Sequence, residues 1–208
     1  MKVEFMGSGV LTPEQQRLVL ETAMQLMSSH SPSEITLEQL THACGVTAFD
    51  IVRHYHSKEN ILAALLEREL ELIAGAVASP ELRFPSETLQ DELQVLAKIM
   101  LQEYRNRVPF LGNLLGEAMR NPEIGALFYR KFILQGRLLF TEFLNVRKRR
   151  GELRDDVDVE AAAALFLAAL TGILLIVELF GGKQVEPLDE ERVVREMSDI
   201  LLRGIVNS

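Results

Sequence analysis

The fold is decided by residues 36–60, TLEQLTHACGVTAFDIVRHYHSKEN. Thr36, followed three residues later by Gln39, forms a capping-box pattern that predicts the start of a helix. Gly45 tolerates the left-handed conformation that ends many helices, and Thr47 can cap a second short helix. Two short helices joined by a glycine-containing turn predict a helix-turn-helix motif, whose second helix can enter the major groove of DNA.

The rest of the chain shows helical periodicity and no strand-like alternation, so the sequence predicts an all-α fold of about nine helices. A small three-helix N-terminal head is followed by a larger C-terminal helical bundle. Residues 1–12 are predicted to be a flexible tail, and the proline-containing segment 79–87 a loop. The other predicted helices cover about 14–29, 57–76, 87–106, 109–120, 122–150, 158–180 and 189–205. Ser57, Asn121 and Asp189 are predicted to cap three of them, and Gly181-Gly182 is predicted to stop the helix over 158–180.

Composition restricts the function classes. A hydrophobic content of 48% allows a substantial core, and a net charge of −8 argues against general nucleic-acid binding by bulk electrostatics. The single Cys44 and an N-terminus without an apolar leader-like stretch favour a cytoplasmic protein. We find no catalytic motif and no cofactor signature, so an enzyme is not predicted.

Residues 36–62 resemble the TetR family of bacterial transcriptional regulators. The residues that carry the resemblance are Gly45-Val46-Thr47, Ile51, His54-Tyr55, Ser57-Lys58-Glu59 and Leu62. The resemblance implies a helix-turn-helix DNA-binding domain over 13–57 and a ligand-binding and dimerisation domain over 58–208. It also implies a homodimer through the last two helices. We therefore predict a repressor that binds an inverted-repeat operator as a dimer and is released by a small apolar effector, since few charges lie among the candidate cavity residues.

For the second helix of the motif, the resemblance implies that Ile51 and Tyr55 face inward, and that Thr47, His54 and Lys58 touch phosphates. The outward side chain able to make a bidentate contact with guanine is Arg53. Ala48 or Phe49 can contact a thymine methyl, and Asp50 can accept a hydrogen bond from cytosine. The DNA-binding candidates are therefore Thr36, Thr47, Ala48, Phe49, Asp50, Arg53, His54 and Lys58.

Two departures leave an alternative open. Residues 48–50 read Ala-Phe-Asp where the family often has Lys-Gly-Thr, and Val52 stands where a phosphate-contacting tyrosine is usual. Residues 1–60 carry four basic residues against seven acidic ones. The alternative is a helical ligand- or partner-binding protein whose head no longer reads DNA.

Large apolar and aromatic side chains on the middle helices are candidates for an effector cavity. Tyr104, Gln135 and Thr171 are its possible polar groups, and Met119 and Leu139 are further apolar candidates. Each of these side chains can equally be part of the hydrophobic core and line no cavity. The ligand-binding candidates are Met100, Tyr104, Phe110, Leu114, Phe128, Phe132 and Phe166.

The run AAAALFLAALTGILLIV, residues 161–177, has no charged residue over a length at the lower limit for a membrane span. Glu160 and Glu178 flank it closely, and its small side chains suit close helix packing. We therefore expect burial in a helix bundle or an oligomer interface rather than in a membrane.

Three other features have simple structural explanations. The basic run 147–150 is predicted to be a solvated helix C-terminus, where positive charge complements the helix dipole. Glu38 and His42 are spaced for one helix face, but a zinc site needs three or four convergent ligands, so no metal is predicted. Cys44 is expected to be buried and unreactive.

Overall fold

The structure, a computed structural model, describes residues 11–78 and 88–206. The predicted tail up to residue 10 and the predicted loop 79–87 lie outside these residues. Within the described residues the helices are α1 Pro13–Met27, α2 Leu37–Cys44, α3 Ala48–Tyr55, α4 Lys58–Ala78, α5 Leu89–Arg105, α6 Val108–Arg120, α7 Pro122–Phe128, α8 Leu134–Arg149, α9 Val159–Leu174, α10 Gly182–Val185 and α11 Glu190–Ile205. The predicted all-α fold is confirmed, with one isolated β-bridge in this part of the chain.

Side chains close in sequence set the helix starts. Thr36 Oγ1 accepts a hydrogen bond from Gln39 N at 3.1 Å, and Gln39 Oε1 accepts one from Thr36 N at 2.8 Å, which completes the predicted capping box. The predicted caps Asn121 and Asp189 also accept bonds from the first turns of α7 and α11. Leu11 is buried and Thr12 caps α1, so both belong to the head rather than to the predicted tail.

Two predicted helices contain π-helical turns that the sequence did not reveal. The helix predicted over 122–150 consists of α7 and α8 joined by a π turn at Tyr129–Ile133. The helix predicted over 158–180 is α9 followed by a π turn at Leu175–Leu179. Its predicted stop is confirmed because Gly181 has a φ of +68°. The short α10 just beyond this stop was not predicted.

The chain divides into two compact units that do not follow sequence order. The head unit combines the residues up to Glu69 with Pro109–Lys131, and the bundle unit combines Leu70–Val108 with the chain from Phe132 onward. In the head unit α1 packs on α2 and α2 on α3. In the bundle unit α8 packs on α9, while α11 packs on α5 and α9.

The turn of the helix-turn-helix motif depends on the backbone of Gly45. This residue ends α2 with φ +69°, and its amide donates to Thr41 O at 2.8 Å. Val46 and Cys44 are buried on either side of it, as the sequence predicts.

Gly45→Ala is expected to destabilise the protein by about 1 kcal/mol, because an L side chain is strained in the left-handed region. An added Cβ would meet no atom within 4 Å, so no steric clash adds to this backbone strain. Gly75→Ala is the matched control: it lies inside α4 with equally open space, and removing a flexible residue there should stabilise by about 0.5–1 kcal/mol. Urea unfolding of both variants measures the difference, and equal effects would contradict the explanation.

Candidate DNA-binding surface and effector region

The recognition helix α3 is anchored by two residues. Ile51 is fully buried and Tyr55 is 7% exposed, which confirms the predicted inward face. The outward face carries the proposed DNA-contacting side chains, of which His54 and Asp50 are half-buried and the others exposed. His54 packs edge-on against the Tyr55 ring with centroids 4.6 Å apart.

Thr47 and Asp50 are hydrogen-bonded to each other at the start of α3. Thr47 Oγ1 accepts from Asp50 N at 3.2 Å and donates its single hydroxyl proton to Asp50 Oδ2 at 2.6 Å. A phosphate contact by the Thr47 hydroxyl would therefore have to replace the bond to Asp50. The same bond occupies one carboxylate oxygen of the predicted cytosine acceptor.

Arg53 and Phe49 form a pair on the outward face. The Arg53 guanidinium carbon lies 6.0 Å from the centre of the Phe49 ring, one turn away on the same helix. Phe49 is 69% exposed, a large value for an aromatic side chain. Such a ring supports the guanidinium by a cation–π contact while leaving its hydrogen-bond donors free.

Lys58 is folded against the connection between α1 and α2. Its ammonium donates to Ile35 O at 3.0 Å and to Ser33 O at 3.3 Å. The residue stays exposed at the first position of α4. Within residues 36–60 the only Lys or Arg side chains are Arg53 and Lys58, so these two supply the permanent positive charge of the motif.

The backbone between α3 and α4 is strained, which the sequence did not indicate. His56 has φ +66° and ψ −36°, and Ser57 N donates to Tyr55 O at 2.8 Å across it. This is the pattern of a γ-turn with positive φ, an uncommon conformation for a residue with a side chain. Ser57 Oγ then accepts from Asn60 N at 3.2 Å, as predicted for a cap.

The predicted effector-binding residues are divided between the two units. Phe110, Leu114 and Phe128 are buried in the head unit. Met100, Phe132 and Phe166 are buried in the bundle unit, where Tyr104 is half-buried.

Tyr104 and Phe132 are brought together, with ring centroids 6.2 Å apart and planes inclined by 50°. Burial raises the pKa of Tyr104 to about 12, with Arg107 acting in the opposite direction. The phenol is therefore neutral at physiological pH and can donate a hydrogen bond.

Phe166 lies in a stack with two other phenylalanine rings. It stacks on Phe140 with centroids 4.6 Å apart, and Phe140 stacks in turn on Phe143 at 5.6 Å. Three further pocket candidates do not fit an enclosed cavity. Met119 is 89% exposed, Leu139 is also exposed, and Thr171 Oγ1 is exposed and bonded to Leu167 O.

The α9 helix presents an apolar stripe to solvent in the single chain. Only 33% of the most apolar 18-residue stretch of Val159–Leu179 is buried. By length and composition alone, this segment could cross a membrane. An open groove of about 560 Å³ lies between α9 and α11, with Leu165, Met197 and Ile200 among its lining residues. One chain alone therefore does not bury this helix. The exposed stripe consists of Ala161, Leu165 and Ala168 of α9, continued by Ile176 and Leu179 of the π-helical turn that follows it.

Charged residues fix the ends of the bundle helices. Arg147 of the basic run is partly buried, donates to Glu92 and Glu152, and lies 5.3 Å from the Phe143 ring, so the prediction of a solvated end is wrong for this residue. The predicted C-terminus is confirmed, since α8 ends at Arg149.

Glu178 lies in the π turn after α9 and is held by two cations. It accepts from Arg105 Nε at 2.6 Å and from Lys183 Nζ at 2.5 Å. Burial alone would raise the pKa of Glu178, but the hydrogen bonds from Lys183 and Arg105 outweigh it, so the pKa lies below its ordinary value. The stability that these bonds contribute is present above the unfolded-state pKa and is lost as the pH falls through the lowered value.

A helix-turn-helix head joined to an all-α bundle defines a class of DNA-binding regulators. Residues 92–204 match the model of a protein family described as the C-terminal domain of AefR-like transcriptional repressors. The chain therefore belongs to the TetR family of transcriptional regulators and is not an enzyme. No curated protein matches the sequence.

Solved structures show the same fold. A TetR-family regulator from Mesorhizobium loti superposes with a TM-score of 0.75 at 16% identity, covering 95% of this chain and all of that one. The flavonoid-responsive regulator FrrA gives 0.71 at 23% identity, covering 94% and 98%. The fatty acid degradation regulator FadR from Bacillus halodurans gives 0.69 at 17% identity, covering 93% and 97%.

Proposed function

We propose that the protein is a cytoplasmic repressor that binds an inverted-repeat operator as a homodimer and leaves it when a small apolar effector binds. The observation that carries this proposal is the outward face of α3. There Arg53 lies over the exposed Phe49 ring, on a helix anchored from behind by Ile51 and Tyr55. An outward guanidinium is the side chain best suited to a bidentate contact with guanine.

The dimer is proposed to form through α9 and α11. The apolar stripe on α9 and the adjoining groove lie open in the single chain, and covering them would remove the apolar surface from water. Two heads held about one turn of DNA apart (roughly 34–36 Å) would then read two half-sites.

The effector is proposed to be a mostly apolar molecule with one hydrogen-bonding group. The neutral Tyr104 phenol beside Phe132 offers an aromatic wall and one polar contact. FrrA is flavonoid-responsive and FadR regulates fatty acid degradation, so compounds of both kinds are reasonable first probes. Release of labelled operator by one of them would support the proposal, and release by hydrophilic compounds alone would refute it.

DNA reading is tested with Arg53→Ala and Lys58→Ala. The operator is first selected from genomic fragments, and affinities are then measured by fluorescence anisotropy at two salt concentrations. Arg53→Ala should relax base preference at one position per half-site and cost about 1–3 kcal/mol. Lys58→Ala should weaken binding to all DNA sequences alike and reduce the salt dependence of binding, because the Lys58 ammonium is proposed to contact a phosphate.

Lys98→Ala is the matched control, since this half-exposed lysine of α5 pairs with Glu191 in the bundle unit. It should leave DNA binding unchanged. Equal, weak binding of the wild-type protein to every fragment would instead favour a head that no longer reads DNA. The hydrogen bond that the Thr47 hydroxyl donates to Asp50 is the observation that favours this second function.

A further inference from the structure

The connection between α1 and α2 is held from two sides within the head unit. Its short 3₁₀ turn, Pro32–Glu34, contains Ser33. The Ser33 hydroxyl donates to Glu117 Oε2 of α6 at 3.0 Å, and the Ser33 carbonyl accepts from Lys58 Nζ of α4 at 3.3 Å. One residue therefore joins a side chain of α6 to the lysine that is proposed to contact phosphate.

Glu117 is a firm anchor for this connection. Its side chain is only 6% exposed, and a buried carboxylate is costly unless hydrogen bonds satisfy it. Ser33 supplies one bond, and Arg120 Nη2 supplies another at 3.2 Å while also donating to Ser31 Oγ at 3.1 Å. Movement of the turn would break the bonds that make this buried charge tolerable.

Lys58 can keep its two internal hydrogen bonds while it contacts a DNA phosphate. An ammonium has three N–H donors, and the carbonyls of Ser33 and Ile35 take two of them. The residue remains exposed, so the third donor can reach a phosphate without loss of the other two bonds. Fixing a flexible lysine beforehand reduces the entropy that DNA binding would otherwise cost.

We propose that Ser33 and Glu117 are positioning residues for Lys58. Glu117 fixes the Ser33 turn, and the turn's carbonyls hold the Lys58 ammonium ready for a DNA phosphate. The proposal rests on the proposed DNA-binding function, but it concerns a phosphate contact and therefore applies to any duplex.

A double-mutant cycle between Ser33→Ala and Lys58→Ala tests this on a generic duplex at low salt and on the selected operator. Ser33→Ala should weaken binding about three- to tenfold in the wild-type background and have no further effect in the Lys58→Ala background. Ser33→Thr keeps the hydroxyl and should restore binding. Thermal unfolding of each variant verifies that it is folded.

Asn113→Ala is the matched control. Asn113 Nδ2 also links α6 to another part of the head unit, but it donates to Met27 O at the end of α1 and not to the Ser33 turn. Its effect should be equal with and without Lys58. Additive effects of Ser33→Ala and Lys58→Ala would overturn the positioning role, and so would tighter binding by Ser33→Ala.

The two proposals fail in different ways. Coupling on the generic duplex without any operator preference would refute sequence reading and support the positioning role. Operator preference without coupling between Ser33 and Lys58 would support sequence reading and refute the positioning role. An absence of binding to every duplex at low salt would refute both.

Discussion

Replacing Leu165 with glutamate is expected to convert the proposed dimer into a monomer. Leu165 is 68% exposed in the single chain and lies on the α9 stripe beside the groove. In the proposed dimer the new carboxylate would be buried without a partner, at a cost of several kcal/mol. Because each 1.4 kcal/mol is tenfold in affinity, the dimer dissociation constant should rise by about 100-fold or more. Sedimentation equilibrium over a concentration series measures it.

DNA binding should fall together with dimerisation, since the two heads would no longer be linked. Leu139→Glu is the control, because Leu139 is similarly exposed but lies on α8, outside the stripe and the groove. A Leu165→Glu protein that remains dimeric would place the interface elsewhere. Partition of the wild-type protein into detergent micelles instead of a soluble dimer would favour a membrane role for Val159–Leu179.

Truncation of Phe166 to alanine is expected to lower the free energy of unfolding by about 3–5 kcal/mol. Phe166 is 1% exposed and stacks on Phe140, so its removal deletes both the burial of the ring and the stacking contact. Reversible urea unfolding of the wild type and the variant measures the loss.

Phe49→Ala is the control for the same change of side chain. Phe49 is exposed on α3, so its truncation should change stability by less than about 0.5 kcal/mol while still affecting operator binding. A loss below about 1 kcal/mol for Phe166→Ala would contradict the tight packing of this ring. Phe166 would then return to the group of proposed effector contacts.

The sequence alone was sufficient where one residue acts on a near neighbour. The capping box of Thr36 and Gln39, the left-handed Gly45, and the caps Asn121 and Asp189 all formed as predicted. Each depends on a hydrogen bond or backbone preference spanning a few residues, so the local sequence contains the whole cause. The inward face of α3 was also predictable, since Ile51 and Tyr55 follow the helical period.

The π turns and the strained His56 were not predictable by the same reasoning. A π turn requires an extra residue in a helical turn, and no residue type marks it. Histidine has no strong preference for positive φ, so His56 is held there by the turn between two anchored helices.

By itself, then, the sequence determined the helices, their capped starts and the helix-turn-helix motif, because side-chain to backbone bonds over three or four residues cause them. Only the tertiary structure decided the partners of side chains distant in sequence. It placed Ser33 between Glu117 and Lys58, stacked Phe166 on Phe140, and left one face of α9 uncovered. Those contacts depend on how helices far apart in the chain pack, and periodicity indicates that a residue is buried without indicating against which neighbour.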